Sequence, residues 1–100
     1  MELGGNISLS GFSERDFTEM IVIKKIVGQY ARKFTDHFKE FSHLNITMKT
    51  VHTSKFELVT KAHIASKEFA SEVTENNLFV ALDSSLKHCW EQAVKAEEKD

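Results

Sequence analysis

Apolar residues recur along this chain with two periods, and the switches between them predict six elements. Residues 6–12, Asn-Ile-Ser-Leu-Ser-Gly-Phe, alternate with Ile7 and Leu9 on one side, the pattern of a short half-buried strand, and Gly11 closes it. The period then lengthens. Phe17, Met20, Ile23, Ile26 or Val27, Tyr30 or Ala31, Phe34 and Phe38 recur at spacings of three and four, opposite Lys24, Lys25, Gln29, Arg32, Lys33 and Asp36. That is a long amphipathic helix, with Ser13 as hydroxyl acceptor ahead of acidic residues at its start. The β-prone run 20–23 and Gly28, which costs about 1 kcal/mol against alanine, oppose the helix, but the repeat outlasts both.

A polar junction at Ser42-His43 leads to a second strand over 44–50. In the next segment Phe56, Leu58, Thr60, Ala62 and Ile64 share one face while Glu57, Val59, Lys61 and His63 share the other, a third strand. Ala65-Ser66-Lys67 is a tight connection, and Phe69, Ser71 and Val73 alternate with Ala70, Glu72 and Thr74 in a fourth. Thr74 or Asn76 then caps a last helix whose stripe is Leu78, Phe79, Leu82, Leu86, Cys89, Trp90 and Ala93. Asp83, Ser84, Lys87, Glu91 and Lys95 lie outside the stripe.

Each helix has one apolar stripe and the strands have alternating faces, so burial predicts an α+β domain of order β-α-β-β-β-α. Two helices cover one face of a four-stranded sheet and the other face stays open. The expected limits are a lead-in over 1–5, one domain over 6–96 and a solvated tail over 97–100. No repeat, low-complexity tract or linker divides the chain.

Composition narrows the function more than it alters the fold. The chain has 100 residues, 41% of them hydrophobic and 10% aromatic, which is ordinary for one core and leaves little room for a deep catalytic cleft. A net charge of −2 gives no general basic field, so nucleic-acid binding would need clustered cations. The lone Cys89 excludes an intramolecular disulfide and a thiolate-rich zinc site, and with no apolar span or signal-like start it predicts a cytoplasmic protein. No two of the five histidines stand four apart, and no nucleophile elbow or phosphate loop is present, so neither a metal, a cofactor, a small-molecule substrate nor an enzyme is expected. His88 and Cys89 point about 100° apart on a helix, which makes Cys89 a small buried hydrophobe rather than a nucleophile. Tyr30 and Trp90 read as core fillers, with base stacking and a partner-facing anchor as their alternatives.

The candidate chemistry is a basic array: Lys24, Lys25, Arg32 and Lys33 on the first helix with Lys87, His88 and Lys95 on the last. Such an array suits phosphate contacts, and it equally describes two solvated helix faces.

Particular residues add to this. Leu78-Phe79-Val80-Ala81-Leu82-Asp83 leading through Leu86 to Gln92, Asn6-Ile7-Ser8-Leu9-Ser10-Gly11, and Phe34 followed by Asp36-His37-Phe38 resemble motifs of the ribosome hibernation-promoting factor family. This family also comprises ribosome-associated inhibitors, interface proteins and sigma-54 modulation proteins. The resemblance runs from about Asn6 to Lys95 and consists chiefly of core and turn residues. It implies a fold similar to double-stranded RNA-binding domains and docking on ribosomal RNA in the decoding region of the small subunit, where occupancy blocks tRNA and mRNA sites and silences translation. Where that family usually carries lysine or another base, this chain has Tyr30, His88 and Glu91, so its basic surface is thinner. The first helix also differs near 18–23. The competing expectation is a protein-interaction module of the same fold that uses the open sheet face through Val59, Lys61, His63 and Glu72.

Overall fold

The computed structural model describes residues 6–98, so the lead-in over 1–5 and the last two residues of the expected tail lie outside the described part. The order is β1 (Ile7–Ser10), α1 (Phe17–His37), β2 (Phe41–Val51), β3 (Lys55–Ile64), β4 (Lys67–Glu75) and α2 (Leu78–Glu98). The strands form one sheet in the order β1-β2-β3-β4, with β1 parallel to β2 and the other pairs antiparallel. A parallel neighbour requires a crossover, and α1 supplies it.

Both helices lie on one face. From α1 this face receives Met20, Ile23, Val27, Ala31 and Phe34, and from α2 Leu78, Ala81, Leu82, Ser85, Leu86, Cys89 and Ala93. Beneath them lie Ile7, Leu9, Leu44, Ile46, Met48, Leu58, Thr60 and Ala62. The helices run the same way, and their C-terminal ends are joined by His37 Nε2 and Glu97 Oε1 at 2.7 Å. Helix α2 thus continues two residues beyond the limit set at 96, and Glu97 belongs to it.

Several local expectations shift, each for a physical reason. The N-cap of α1 is Asp16, not Ser13: a turn closed by Arg15 N–H on the Phe12 carbonyl intervenes, and Asp16 and Glu19 then make a reciprocal capping box. The helix is unbroken through the β-prone run and Gly28. Phe17 is 80% exposed and not part of the core. It sits roughly 80° round the helix from the centre of the buried stripe, and Phe12, folded back by the same turn, is buried instead. Phe38 is buried from just past the helix end. Asn77, rather than Thr74 or Asn76, caps α2, its Oδ1 accepting the N–H groups of Phe79 and Val80 at 2.9 and 3.1 Å. Strand β2 begins at Phe41, so Ser42-His43 is part of a strand with a register shift between Phe41 and His43.

The β3–β4 hairpin closes on the pair Ile64–Lys67, with Ala65 at φ 58°, the positive angle that a II′-type turn needs at its first central position. Under α2 runs a chain of hydroxyls absent from the apolar pattern. Ser71 Oγ donates to the Ser85 carbonyl, and Ser85 Oγ donates to Thr60 Oγ1 at 2.8 Å. Each satisfies a buried polar group and ties α2 to both β3 and β4.

Two glycines make opposite demands. Gly11 has φ +87°, and a Cβ there would fall on the Met48 carbonyl oxygen. Gly28 is helical with nothing near the position of an added Cβ. In thermal or urea unfolding, Gly28→Ala is expected to raise stability by about 0.8–1 kcal/mol. Gly11→Ala is expected to lower it by more than that gain. A destabilised Gly28→Ala variant would contradict the packing described for α1.

Candidate nucleic-acid interface

Every one of the seven cationic candidates is exposed, and all project from the helix layer, on the side away from the sheet's open face. Among the described residues none of them takes part in an ion pair; those pairs are Arg15–Glu19, His37–Glu97 and His63–Glu68. The set is not one strip, however. Lys25 and Arg32 stand seven residues apart and share the outer ridge of α1, whereas Lys24 is about 100° round from Lys25. Lys33 turns the other way, toward α2, with Nζ 4.6 Å from the centre of the Trp90 ring and 5.7 Å from that of Tyr30. His88 and Lys95 lie on the far flank of α2, where with Ala70, Ser71, Glu72, Glu91 and Gln92 they line a groove against β4. Lys87 is exposed on the outer face of α2.

The seam between the helices holds what the sequence left scattered. Phe34 is fully buried, with ring centroids 5.2 Å from Trp90, 5.3 Å from Phe41 and 6.1 Å from Phe38. His37 closes the group, edge-on to Phe38 at 4.6 Å and to Trp90 at 5.2 Å. Trp90 is therefore a half-buried clamp between the helices, its ring edges in the core and one face under a lysine. At an exposed site such a cation–π contact is worth about 0.5–1 kcal/mol. Tyr30 is likewise half-buried, packed on the core, with its hydroxyl reaching the Asp83 side chain. Burial, then the Asp83 charge and that hydrogen bond, then Glu91, push the Tyr30 phenol above its ordinary value. Asp83, Trp90 and Glu97 recur every seven residues on α2, as Tyr30 and His37 do on α1. That spacing was the available signal for an acidic and aromatic seam.

Cys89 is buried, donates to the Phe69 carbonyl at 3.4 Å, and is pushed up to about 11 by burial, so it is a packed thiol without nucleophilic character at neutral pH. Among the described residues no group of three or more His, Cys, Asp or Glu is placed to hold a metal, and no helix is long and apolar enough to cross a membrane.

The sheet's open face is polar and ordered. Asn45, Lys61 and Ala70 lie in one cross-strand row, and Thr47, Val59 and Glu72 in the next. His43 Nε2 bridges Ser8 Oγ and Asn45 Oδ1 at 3.1 and 2.7 Å, and His63 Nε2 lies 3.5 Å from Glu68 Oε1. The four residues expected to form an interaction surface there, Val59, Lys61, His63 and Glu72, do share that face.

Comparison with known proteins rests on this geometry. A ribosomal subunit interface protein from Coxiella burnetii superposes with a TM-score of 0.69 over 93% of this chain and 98% of its own, at 9% identity. The N-terminal domain of Protein Y from Thermus thermophilus superposes with a TM-score of 0.63 over 92% of this chain and 94% of its own, at 11% identity. The chain has their fold. No protein-family model matches the sequence, and no curated protein matches it. The expected architecture, a four-stranded sheet with two helices on one face, is thus the architecture of both structures.

The Tyr30–Asp83 pair makes the seam measurable. With the folded-state phenol raised, the pair's contribution to stability is present below the unfolded phenol value near 10 and is lost as pH rises through the folded value. Ultraviolet titration of the single tyrosine should show a midpoint above that of a model phenol, moving down in Asp83→Asn. An unchanged midpoint in the variant would remove Asp83 from the account.

Proposed function

We propose that this protein is a cytoplasmic, non-enzymatic ribosome-binding factor that docks its helix layer on ribosomal RNA of the small subunit and silences translation by occupancy. The observation that carries this reading is the set of exposed cations, Lys24, Lys25, Arg32, Lys33, Lys87, His88 and Lys95, without ion-pair partners among the described residues, on a fold shared with a ribosomal subunit interface protein. A cation already neutralised by a carboxylate gains little from a phosphate. One held only by water releases condensed counterions when it docks, and that release drives the association. No chemistry is required, since a rigid domain of this size excludes other ligands from a cleft by filling it.

The outer ridge of α1, Lys25 and Arg32, carries the most weight in this reading, because Asp83, Glu91 and Glu97 dilute the field along the seam. His88 and Lys95, across α2, would meet a different backbone segment. The second reading is a protein-interaction module, favoured by the ordered open face with Val59, Lys61, His63 and Glu72 in register.

Co-sedimentation with purified small subunits separates the two. Binding is expected at low salt and should weaken steeply as salt rises. The Lys25→Glu/Arg32→Glu variant spares Lys33, which packs on Trp90, and should lose binding about tenfold or more, with the salt slope reduced by roughly two units. Circular dichroism verifies its fold. No co-sedimentation of the wild type at low salt, or a variant that binds as well as the wild type, refutes docking through the helix layer; a sheet-face interaction would survive the double reversal.

A further inference from the structure

Strand β4 ends the sheet. It is nine residues long, pairs with β3 without a register break, and contains no proline. Alternate residues of its far side direct N–H and C=O groups away from β3, and natural edges of this length are usually guarded by a bulge, a proline, a cover or charged side chains, of which β4 has the last in Lys67, Glu68, Glu72 and Glu75. The side chains divide cleanly. Lys67, Phe69, Ser71, Val73 and Glu75 face the helix layer, and Glu68, Ala70, Glu72 and Thr74 face the open side. Phe69 and Val73 are only half-buried, packed against the core from one side.

We propose that this edge is a homodimer interface, in which β4 pairs antiparallel with β4 of a second copy about a two-fold axis at Ser71, joining two sheets into one of eight strands. The register follows from the sequence of the strand. A two-fold axis perpendicular to the sheet pairs residues of the same face, so it must pass through a residue, and few choices pair most of the strand. An axis at Ala70 sets Glu68 against the partner's Glu72, twice. One at Glu72 sets that carboxylate against itself. Like charges directly opposite are destabilising, so both are disfavoured.

The axis at Ser71 pairs all nine residues without setting like charges directly opposite; Glu72 and the partner's Glu72 meet only on the diagonal. Phe69 meets the partner's Val73 on both sides of the axis, extending each half-finished core across the seam, and Lys67 stands opposite the partner's Glu75 at both ends. On the open side Ala70 meets the partner's Glu72, and Glu68 meets the partner's Thr74.

Helix spacing agrees with this arrangement. Ser85 bonds to Thr60 of β3 and contacts Ser71 of β4, so α2 lies over the line between those strands. That line is about one strand spacing from the proposed axis, which separates the two copies of α2 by about 10 Å, close to the 8–10 Å of packed helices. The flank of α2 that turns toward the partner carries His88, Gln92 and Lys95 with Glu91 at its margin, so it presents mixed charge to its copy rather than an acidic row. Lys24, Lys25, Arg32 and Lys33 of α1 remain outside the interface on both copies. The dimer draws on His88 and Lys95, which the ribosome reading also uses, so in a dimer the RNA contact falls to α1 and Lys87.

Ala70 tests it without touching the core, because it is exposed, with Lys61 beside it on β3 and the partner's Glu72 opposite it across the axis; melting curves of the monomers separate the Lys61 effect from the dimer effect. Sedimentation velocity over rising concentration should show a reversible monomer–dimer equilibrium for the wild type. Ala70→Glu sets carboxylates opposite one another twice and should weaken the dimer about fivefold, whereas Ala70→Lys should tighten it by a similar factor. Adding Glu72→Lys to Ala70→Glu should restore association. Melting curves of the monomers control for folding. A wild-type chain that stays monomeric up to roughly 1 mM overturns the proposal, even if it accepts an unrelated strand at β4. So does a dimer indifferent to the sign of the charge at position 70.

Discussion

The packing of Phe34 against Trp90, Phe38 and Phe41 is the contact on which the rest of the helix layer depends. Those four rings come from α1, α2, the turn after α1 and the start of β2, and Phe34 touches all the others. Aromatic pairs in these stacked, tilted and edge-to-face geometries add about 0.5–1.5 kcal/mol each beyond the area they bury. The cluster also fixes how far α1 and α2 stand apart. That separation in turn places Lys33 over the Trp90 face, Tyr30 beside Asp83, and His37 within reach of Glu97. One apolar anchor therefore determines which polar groups meet across the seam.

The other end of α2 is held differently. Ser85 and Ser71 replace apolar contacts with a short ladder to Thr60, and a hydroxyl ladder has one good register where an oily stripe has several. Its consequence reaches the edge strand. By seating α2 over the line between β3 and β4, the ladder leaves the outer side of β4 beyond the reach of α2, with Phe69 and Val73 half-buried. The exposed edge and the satisfied interior have the same origin.

The likeness to the two solved structures at 9–11% identity has a physical basis in this division. A β-α-β-β-β-α domain needs apolar stripes of the right period, a residue tolerant of positive φ where β1 turns beneath β2, and caps at two helix starts. Few of those demands name a particular amino acid. Surface charge is free to drift on such a scaffold. In this chain acids lie along the seam, and cations on the outer ridge of α1 and the β4 flank of α2.

The periods of two and three-to-four determined by themselves the six elements, their order, the faces of β3 and β4, and the burial of Cys89. These follow from local geometry, because every residue in a strand or helix carries its direction with it. Where the chain reverses, that rule stops. The turn at Phe12–Arg15 moved the cap from Ser13 to Asp16 and exchanged Phe17 for Phe12 in the core. The scatter of the cations was equally out of reach, because which side of α1 faces α2 depends on a Phe34–Trp90 contact between residues 56 positions apart in the sequence. Sequence periodicity specifies what a helix buries; only the tertiary packing decides what stands beside it.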